Sequence, residues 1–226
     1  MKAVMLSIKP KYCELIAAGK KTIEVRKTRP KIETPFKCFI YECKGKEICK
    51  LIDIPKEQGG GCIDIYEYEG CGKVIGEYVC DSIDEIHVPT DLMLEHEIAD
   101  FSERTLNILN NSCLSYDDMI NYAECSLDNY NPRKEYLYGW HISDLIIYDK
   151  PKELSEFMVI DKDMLRECTY RIRAYNNPDY TNGALLKGTY VCNNSFEPHF
   201  CRGQCGIATK PLTRPPQSWC YVVEGR

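Results

Sequence analysis

Three charged side chains stand close together near the start of the chain, at a spacing that suits acid–base and anion-binding chemistry. They are Lys21, Glu24 and Arg26. A lysine shielded from water can lose its proton near neutral pH, and a neighbouring carboxylate can exchange protons with bound water or substrate. The planar guanidinium of arginine suits phosphate or carboxylate. The segment predicts a nucleotide or nucleobase site, with Lys21 and Glu24 as candidate catalytic residues.

Other polar residues around this segment extend the candidate site. We predict that the following residues join Arg26 in binding a nucleotide or nucleic acid: Ser7, Lys9, Lys20 and Thr22. A serine hydroxyl donates a hydrogen bond, and a lysine at the strand end adds positive charge. The alternative is a solvated strand face on which a glutamate and an arginine simply pair, and the pattern leaves both interpretations open.

The local pattern predicts the elements that must position these residues. Residues 3–8 form a short apolar run, and Pro10 marks a helix start because proline suits the first helical turn. Gly19 ends this helix, since glycine readily adopts the left-handed conformation that closes a helix. The polar segment therefore follows directly on a helix end.

The strand after the helix decides which polar side chains meet. Residues 22–26 alternate like a half-buried strand. This alternation puts Glu24 and Arg26 on one face with Lys20, and the stem of Lys21 on the opposite face with apolar residues. A row of charge is therefore expected beside the helix end.

The composition is that of a folded protein. The chain has 226 residues, 44% of them hydrophobic and 28% charged, so it can bury a core as one elaborated domain or two small ones. No apolar run reaches the length of a membrane span or a signal-peptide core, which predicts a cytoplasmic, intracellular protein without a membrane partner. In that setting, 14 cysteines favour reduced thiols or metal ligands over disulfides.

The net charge of −5 hides an uneven distribution along the chain. Residues 1–50 hold 13 Lys and Arg against 5 Asp and Glu, residues 51–149 hold 5 against 21, and residues 150–226 hold 11 against 8. The basic segment coincides with the candidate site, which favours RNA, single-stranded nucleic acid or a modified nucleotide as partner. The alternative is that the acidic middle folds against the basic ends. A protein partner stays unknown.

Short strands with few helices predict a mixed α+β fold. Residues 36–43 and 47–52 form a predicted hairpin around a Lys-Gly-Lys turn. A further strand covers residues 74–80, where Gly76 marks a bulge or a close backbone approach. Residues 136–148 form late strands that return to the first sheet.

The chain divides into two predicted parts. Residues 1–150 form the first domain, and an acidic insertion of helical spacing occupies about residues 90–125. Residues 151–226 form a small cysteine-rich C-terminal extension.

The polar segment carries the pattern glycine-x-lysine-x-x-glutamate-x-arginine, filled by Gly19, Lys21, Glu24 and Arg26. With Ser-Ile-Lys-Pro before it, this string resembles the signature of the ASCH family (activating-signal-cointegrator homology), in its phage or prophage form. The resemblance implies a PUA-like fold, which is a mixed β pseudobarrel with short helices. It also implies an RNA- or nucleotide-binding module.

The same resemblance implies an enzymatic alternative. Some small ASCH relatives are amidohydrolases that remove the acetyl group of N4-acetylcytidine with a lysine, a threonine and a glutamate. Here Lys21 matches the lysine, but Glu24 occupies the position of the threonine. Thr22 offers a hydroxyl earlier in the segment, and Glu77 is the candidate for the third residue. A nucleoside amidohydrolase, or a nuclease, would use Lys21 and Glu24.

Aromatic residues of the late strands are candidates for base stacking. Tyr136, Tyr138 and Trp140 share one strand face by alternation, and we predict that Tyr138 and Trp140 contact a base. The alternative is that they belong to the core, Trp140 first among them. His141 could act as an acid or base, but a single histidine without a partner is more often structural.

The C-terminal segment offers thiol and imidazole groups for a structural zinc ion, although no cofactor is required for the predicted function. The candidate ligands are Cys192, His199, Cys201, Cys205 and Cys220. The spacing of Cys201 and Cys205 is looser than the usual zinc-binding pair, and buried free cysteines are the alternative.

Overall fold

The computed structural model consists mainly of short strands with a few helices. It describes residues 2–53, 62–87, 103–123, 136–168, 171–173, 190–192, 199–200 and 208–223. The strands are β1 (Lys2–Ile8), β2 (Ile23–Arg26), β3 (Phe36–Glu42), β4 (Gly45–Asp53), β5 (Cys62–Gly70), β6 (Val74–Cys80), β7 (Ile83–His87), β8 (Tyr136–His141), β9 (Ser143–Lys152), β10 (Met158–Ile160), β11 (Arg171–Arg173), β12 (Tyr190–Cys192), β13 (His199–Phe200), β14 (Thr209–Pro211) and β15 (Trp219–Val223). The helices are α1 (Pro10–Ala17), α2 (Glu103–Ser112), α3 (Tyr116–Ala123) and α4 (Lys162–Glu167).

The predicted α+β class is confirmed, and the described strands form open sheets rather than a closed barrel. The main sheet has seven strands in the order β14-β10-β15-β1-β3-β6-β9. Near its centre, β1 runs parallel to β3 and antiparallel to β15. None of the described helices has the length and hydrophobicity that a membrane span needs.

Strand β3 lies inside the main sheet because apolar residues cover both of its faces. Phe36, Cys38 and Ile40 pack into one core cluster, whereas Phe39 and Tyr41 pack into another on the opposite face. A strand buried on both faces needs a partner on each side, and β3 pairs with β1 and β6. The predicted hairpin of residues 36–43 and 47–52 is therefore wrong. Strand β4 pairs with β5 instead.

A second sheet and the two insertion helices form further layers beside the main sheet. Its order is β2-β8-β7, so β2 is an edge strand among the described strands. Trp140 of β8 faces the core shared with the main sheet, where its ring meets Phe36 edge-on at 5.7 Å between centroids. On the other face, Ile23 and Leu137 pack against Ile108 of α2 and its neighbours.

The described part of the predicted insertion, residues 103–123, contains helices α2 and α3. Helix α3 begins with reciprocal contacts between two residues: the Asp118 amide donates to Ser115 Oγ at 3.0 Å, and the Ser115 amide donates to Asp118 Oδ2 at 3.2 Å. Such reciprocal capping satisfies amides that the first helical turn leaves unpaired. Met119 and Ala123 then bury α3 against the second sheet.

The chain beyond residue 150 contributes to the main sheet. Strand β15 pairs along β1, from Lys2 opposite Val223 to Leu6 opposite Trp219, and β10 pairs with both β14 and β15. Phe157 and Val222 also complete the core on the outer face of this sheet. Residue 150, the predicted domain boundary, lies in β9 of the same sheet, and the division into two domains stays a prediction. Strands β11, β12 and β13 form a separate small sheet.

Strands β6 and β9 approach each other closely at Gly76. The register of β6 against β9 shifts between Val74 and Gly76, and a Cβ atom at Gly76 would lie 2.5 Å from the carbonyl oxygen of Ile146. The predicted bulge and close approach are both confirmed. We expect Gly76→Ala to lower the free energy of unfolding by about 1–3 kcal/mol, because backbone atoms must move apart. Urea denaturation measures this.

Gly139→Ala is the matched comparison for Gly76→Ala. Its new methyl group would meet a side-chain carbon of Ile23 at 3.1 Å, and a side chain moves more easily than backbone. If Gly76→Ala proved no less stable than Gly139→Ala, the close pairing of β6 and β9 would be wrong.

Candidate functional site

The turn between α1 and β2 directs Lys21 inward. The Lys20 amide donates to the Leu15 carbonyl at 2.9 Å, and the Gly19 amide donates to the Ile16 carbonyl at 2.9 Å. With Gly19 at φ +69°, this is the Schellman pattern that ends a helix. The Lys21 amide also donates to the Leu15 carbonyl at 3.0 Å, and β2 begins only at Ile23. Lys21 therefore lies outside the strand alternation.

A buried ion network lies where this turn meets β2. One carboxylate oxygen of Glu24 lies 3.3 Å from Lys21 Nζ, and the other lies 2.9 Å from Arg26 Nη2. The three residues are only 2%, 7% and 6% exposed for Lys21, Glu24 and Arg26. Removing charges from water is costly unless they are paired. The network satisfies this condition with one carboxylate between two cations.

Lys21 also joins the network to the insertion. Its Nζ donates to the carbonyl oxygen of Ser112, the last residue of α2, at 2.6 Å. The last carbonyls of a helix lack helical partners and carry partial negative charge, which favours a cation there. The ammonium group also lies 5.0 Å from the centre of the Tyr12 ring. The alternation in the sequence pointed Lys21 to the opposite face, and the Schellman turn explains the difference.

Arg26 connects distant parts of the chain rather than presenting an empty fork. Its Nη2 donates to the Ser7 carbonyl at 2.8 Å, and its Nη1 lies 3.3 Å from both the carbonyl oxygen and Oγ of Ser218. With the bond to Glu24, these contacts engage both terminal nitrogens. The buried Nε has no partner among the described residues.

A cavity of about 400 Å³ opens beside the network, along the edge of β2. Its lining comes from five regions: the β1–α1 junction, the segment around β2, the residue after β3, the insertion helices and the residues before β15. The described lining residues are Ser7, Ile8, Lys9, Tyr12, Lys21, Glu24, Val25, Arg26, Cys43, Leu114, Asp118, Tyr122, Gln217 and Ser218. This volume suits a small ligand such as a nucleoside.

A family comparison identifies the domain around this cavity. Residues 6–159 match the model of the ASCH domain. The chain belongs to the ASCH domain family. ASCH domains are PUA-like and generally bind RNA. A search of curated proteins finds no match for the chain.

Solved structures of an ASCH protein from Zymomonas mobilis are similar to this chain. One is 17% identical, with 67% of this chain and 73% of that chain covered and a TM-score of 0.39. A serine-to-alanine variant of the same protein is 16% identical, with 97% and 87% covered and a TM-score of 0.44. The phage or prophage origin stays a prediction.

The three charged residues of the ASCH signature meet at the cavity, but not all predicted binding residues do. Ser7, Lys9, Lys21, Glu24 and Arg26 line it. Lys20 and Thr22 are exposed and do not line it. The Thr22 hydroxyl contacts the side-chain oxygen of Asn111 at 3.1 Å. Direct contacts of these two residues with a ligand stay predictions.

The two aromatic candidates of β8 have different surroundings. Trp140 is completely buried and packs against Phe36 and Trp219, so no face of its ring is open to a base. The predicted base contact of Trp140 is corrected to a core position, because stacking needs an accessible ring. Tyr138 is half-buried, and the Arg29 guanidinium lies 5.8 Å from its ring centre. Neither residue lines the cavity.

The other two acid–base candidates, Glu77 and His141, do not line the cavity. Glu77 accepts hydrogen bonds from Tyr148 at 2.5 Å and from Lys37 at 3.0 Å. Burial works to raise the pKa of Glu77, but these bonds outweigh it and hold the pKa below its ordinary value. His141 has a partner that the sequence did not reveal, since its Nε2 lies 2.9 Å from Asp84 Oδ2.

The zinc prediction falls largely outside the described residues. The backbone register of β12 and β13 places Cys192 opposite His199, whereas Cys201 and Cys205 are not described. Cys220 lies in β15 of the main sheet, where burial raises the pKa of its thiol to about 11. No cluster of three possible metal ligands occurs among the described side chains. Structural zinc therefore stays a prediction.

Sequence reasoning missed several residues of the cavity wall, among them Tyr12, Asp118 and Tyr122. Tyr12 lies on α1, and Asp118 and Tyr122 lie on α3, far along the chain from the signature. The four-residue spacing of Asp118 and Tyr122 places them on one helix face. That spacing was visible in the sequence, but which element the face would meet was not.

The buried network should show strong energetic coupling between Lys21 and Glu24. Glu24→Gln leaves two buried cations without a carboxylate, and Lys21→Met leaves Glu24 with Arg26 as its one cationic partner in the network. The two single changes together should therefore cost more than the double change. We expect a coupling energy of about 1–3 kcal/mol in a double-mutant cycle of urea denaturation.

The exposed pair of Lys73 and Glu153 is the control for this cycle. Their charged atoms lie 2.7 Å apart, but the side chains are 42% and 59% exposed. The cycle of Lys73→Met and Glu153→Gln should give less than about 1 kcal/mol. Equal coupling in the two pairs would contradict the role of burial in the signature network.

Proposed function

We propose that this ASCH domain binds RNA, single-stranded nucleic acid or a modified nucleotide by receiving one unpaired base in the cavity beside β2. The observation that carries the proposal is that the Lys21–Glu24–Arg26 network lines a cavity of about 400 Å³. Preorganised polar groups in a partly apolar pocket orient a ligand and supply specificity.

The hydrogen-bonding capacity of the network suits the polar edge of a base. Each carboxylate oxygen of Glu24 accepts one cationic partner, which leaves further lone pairs for a ligand donor such as an exocyclic amine. Among the described residues, Lys21 Nζ donates to the Ser112 carbonyl and lies against Glu24. An ammonium group has three donors, so a further N–H can serve a ring nitrogen or carbonyl oxygen of the ligand. Carboxylates pair with the amine of cytosine in nucleic-acid recognition.

The position of these groups favours an unpaired base over a duplex. The network is almost fully buried, so a base must leave its stack to reach Glu24. Sequence-specific RNA recognition commonly uses such splayed bases, whose edges are free and whose faces stack on aromatic rings. The exposed Lys9 at the cavity supplies a positive charge for the phosphate backbone outside.

Lys21→Met should weaken binding of a single-stranded RNA hexamer about tenfold or more, because it removes a charged donor and leaves Glu24 paired to Arg26 alone. Fluorescence anisotropy at several salt concentrations measures the affinity, which should fall as salt rises. Circular dichroism checks that the variant is folded. If Lys21→Met is unfolded, Lys21→Arg replaces it in the assay, because arginine retains the charge.

Lys150→Ala is the control for Lys21→Met. Lys150 is exposed on β9 and does not line the cavity, so its loss should change affinity little. Lys20→Ala should give an intermediate effect that acts through charge alone. If the parent protein bound no hexamer, or if Lys21→Met matched Lys150→Ala, the proposed binding site would be refuted.

One observation favours a second candidate function, hydrolysis of an N4-acylated cytidine. The ammonium of Lys21 and a carboxylate oxygen of Glu24 lie 3.3 Å apart inside a cavity of nucleoside size. In this reaction, water attacks the amide carbonyl, Glu24 takes a proton from the water, and Lys21 stabilises the oxyanion. The C–N bond breaks, the cytidine amine receives a proton, and acetate is released.

Incubation with N4-acetylcytidine tests this second function. Mass spectrometry should detect cytidine and acetate in equal amounts. Glu24→Gln should reduce turnover about a hundredfold or more, because general-base catalysis contributes a factor of this size. Asp117→Asn, a change on an exposed residue outside the cavity, is the control. Unchanged turnover in Glu24→Gln would reject the mechanism, and an RNA substrate in the same assay would reveal phosphodiester cleavage.

A further inference from the structure

Helix α3 contributes one wall of the cavity. Asp118 and Tyr122 project from one face of this helix, and Leu114 precedes it in the same wall. These residues come from the acidic insertion, far along the chain from the signature on β2. The insertion is thus part of the candidate site rather than a separate appendage.

The insertion is held at the site by contacts that fix where this wall lies. The Thr22 amide donates to the Asn111 carbonyl at 2.8 Å, next to the bond between Lys21 and Ser112. Ile108 and Met119 of the helix pair are buried against the second sheet, and Leu114 and Tyr122 pack against the same cluster. These hydrogen bonds therefore hold the end of α2 against Lys21 and Thr22, and α3 follows after a short turn.

Tyr122 stands next to the charged network. Its ring lies 5.0 Å from Lys27 Nζ, and burial raises the pKa of its phenol, with Arg26 and Glu24 both close enough to influence it. Tyr12 supplies an aromatic ring from α1, beside Lys21. Rings from two different elements thus line the cavity around one polar centre, which suits a flat heterocycle.

The charges at the outer part of the cavity differ between its walls. Lys9, at the junction of β1 and α1, is exposed and basic, whereas Asp118, on α3, is exposed and acidic. A phosphate is attracted to the first wall and repelled by the second. One oxygen of Asp118 accepts bonds from Ser115, and the structure gives the other no partner among the described residues.

We propose that α3 determines which nucleic acid this site accepts: Tyr122 packs on the base, and Asp118 accepts a hydrogen bond from the ribose 2′-hydroxyl, so that RNA binds in preference to DNA. This inference rests on the proposed function and adds the sugar and the element that reads it. The 2′-hydroxyl is the donor that distinguishes RNA from DNA at a given position. The phosphate then points towards Lys9.

Two single-stranded hexamers of the same base sequence, one RNA and one DNA, test the inference by fluorescence anisotropy. The parent protein should prefer RNA, and Asp118→Asn should reduce the ratio of RNA to DNA affinity about tenfold, because the hydroxyl loses a charged acceptor. Asp117→Asn changes the same charge one residue away, outside the cavity, and should leave the ratio unchanged.

Tyr122 has a different expected signature. Tyr122→Leu should weaken the binding of RNA and of DNA alike, about tenfold, because base stacking does not depend on the sugar. Tyr122→Phe keeps an aromatic ring and should retain most of the affinity. An unchanged affinity ratio in Asp118→Asn, with Lys21→Met still weakening binding, would overturn the inference and leave the proposed function standing. Failure of the parent protein to bind either hexamer would overturn both.

Discussion

The enclosure of the Glu24 carboxylate between two cations is the constraint on which the site depends. A buried carboxylate requires partners, and here they are Lys21 at 3.3 Å and Arg26 at 2.9 Å. Each cation is in turn held by backbone carbonyls of distant segments: Ser112 holds Lys21, while Ser7 and Ser218 hold Arg26. The pairing of the Glu24 carboxylate with these two cations therefore fixes the mutual positions of β1, β2, the end of α2 and the residues before β15.

The cavity follows from the place of this network in the fold. Strand β2 lies at the edge of its sheet among the described strands, so one side of it is open to other elements. Helix α1, the insertion helices and the segment before β15 approach that side without filling it. A site built from such separate segments can combine acidic, basic and aromatic groups that no single strand face would carry. This combination is what suits the polar edge and flat face of a base.

Features that depend on neighbouring residues could be predicted from the sequence. Pro10 begins α1, Gly19 closes it with positive φ, and Ser115 with Asp118 begins α3, because each acts through bonds within a few residues. Strand partners were harder to predict, since alternation describes a strand without its neighbour. The segment Phe36–Glu42 looked like half of a hairpin, yet burial on both faces places it between β1 and β6.

The sequence alone determined the family and its charged signature, because the order of Gly19, Lys21, Glu24 and Arg26 is a property of the chain itself. The tertiary structure alone decided which side chains share the cavity. A Schellman turn redirects Lys21 towards Glu24, and long-range packing brings in Tyr122 and Asp118. The physical reason is that backbone geometry and signature chemistry are local, whereas burial of charge and closure of a cavity need segments that are distant along the chain.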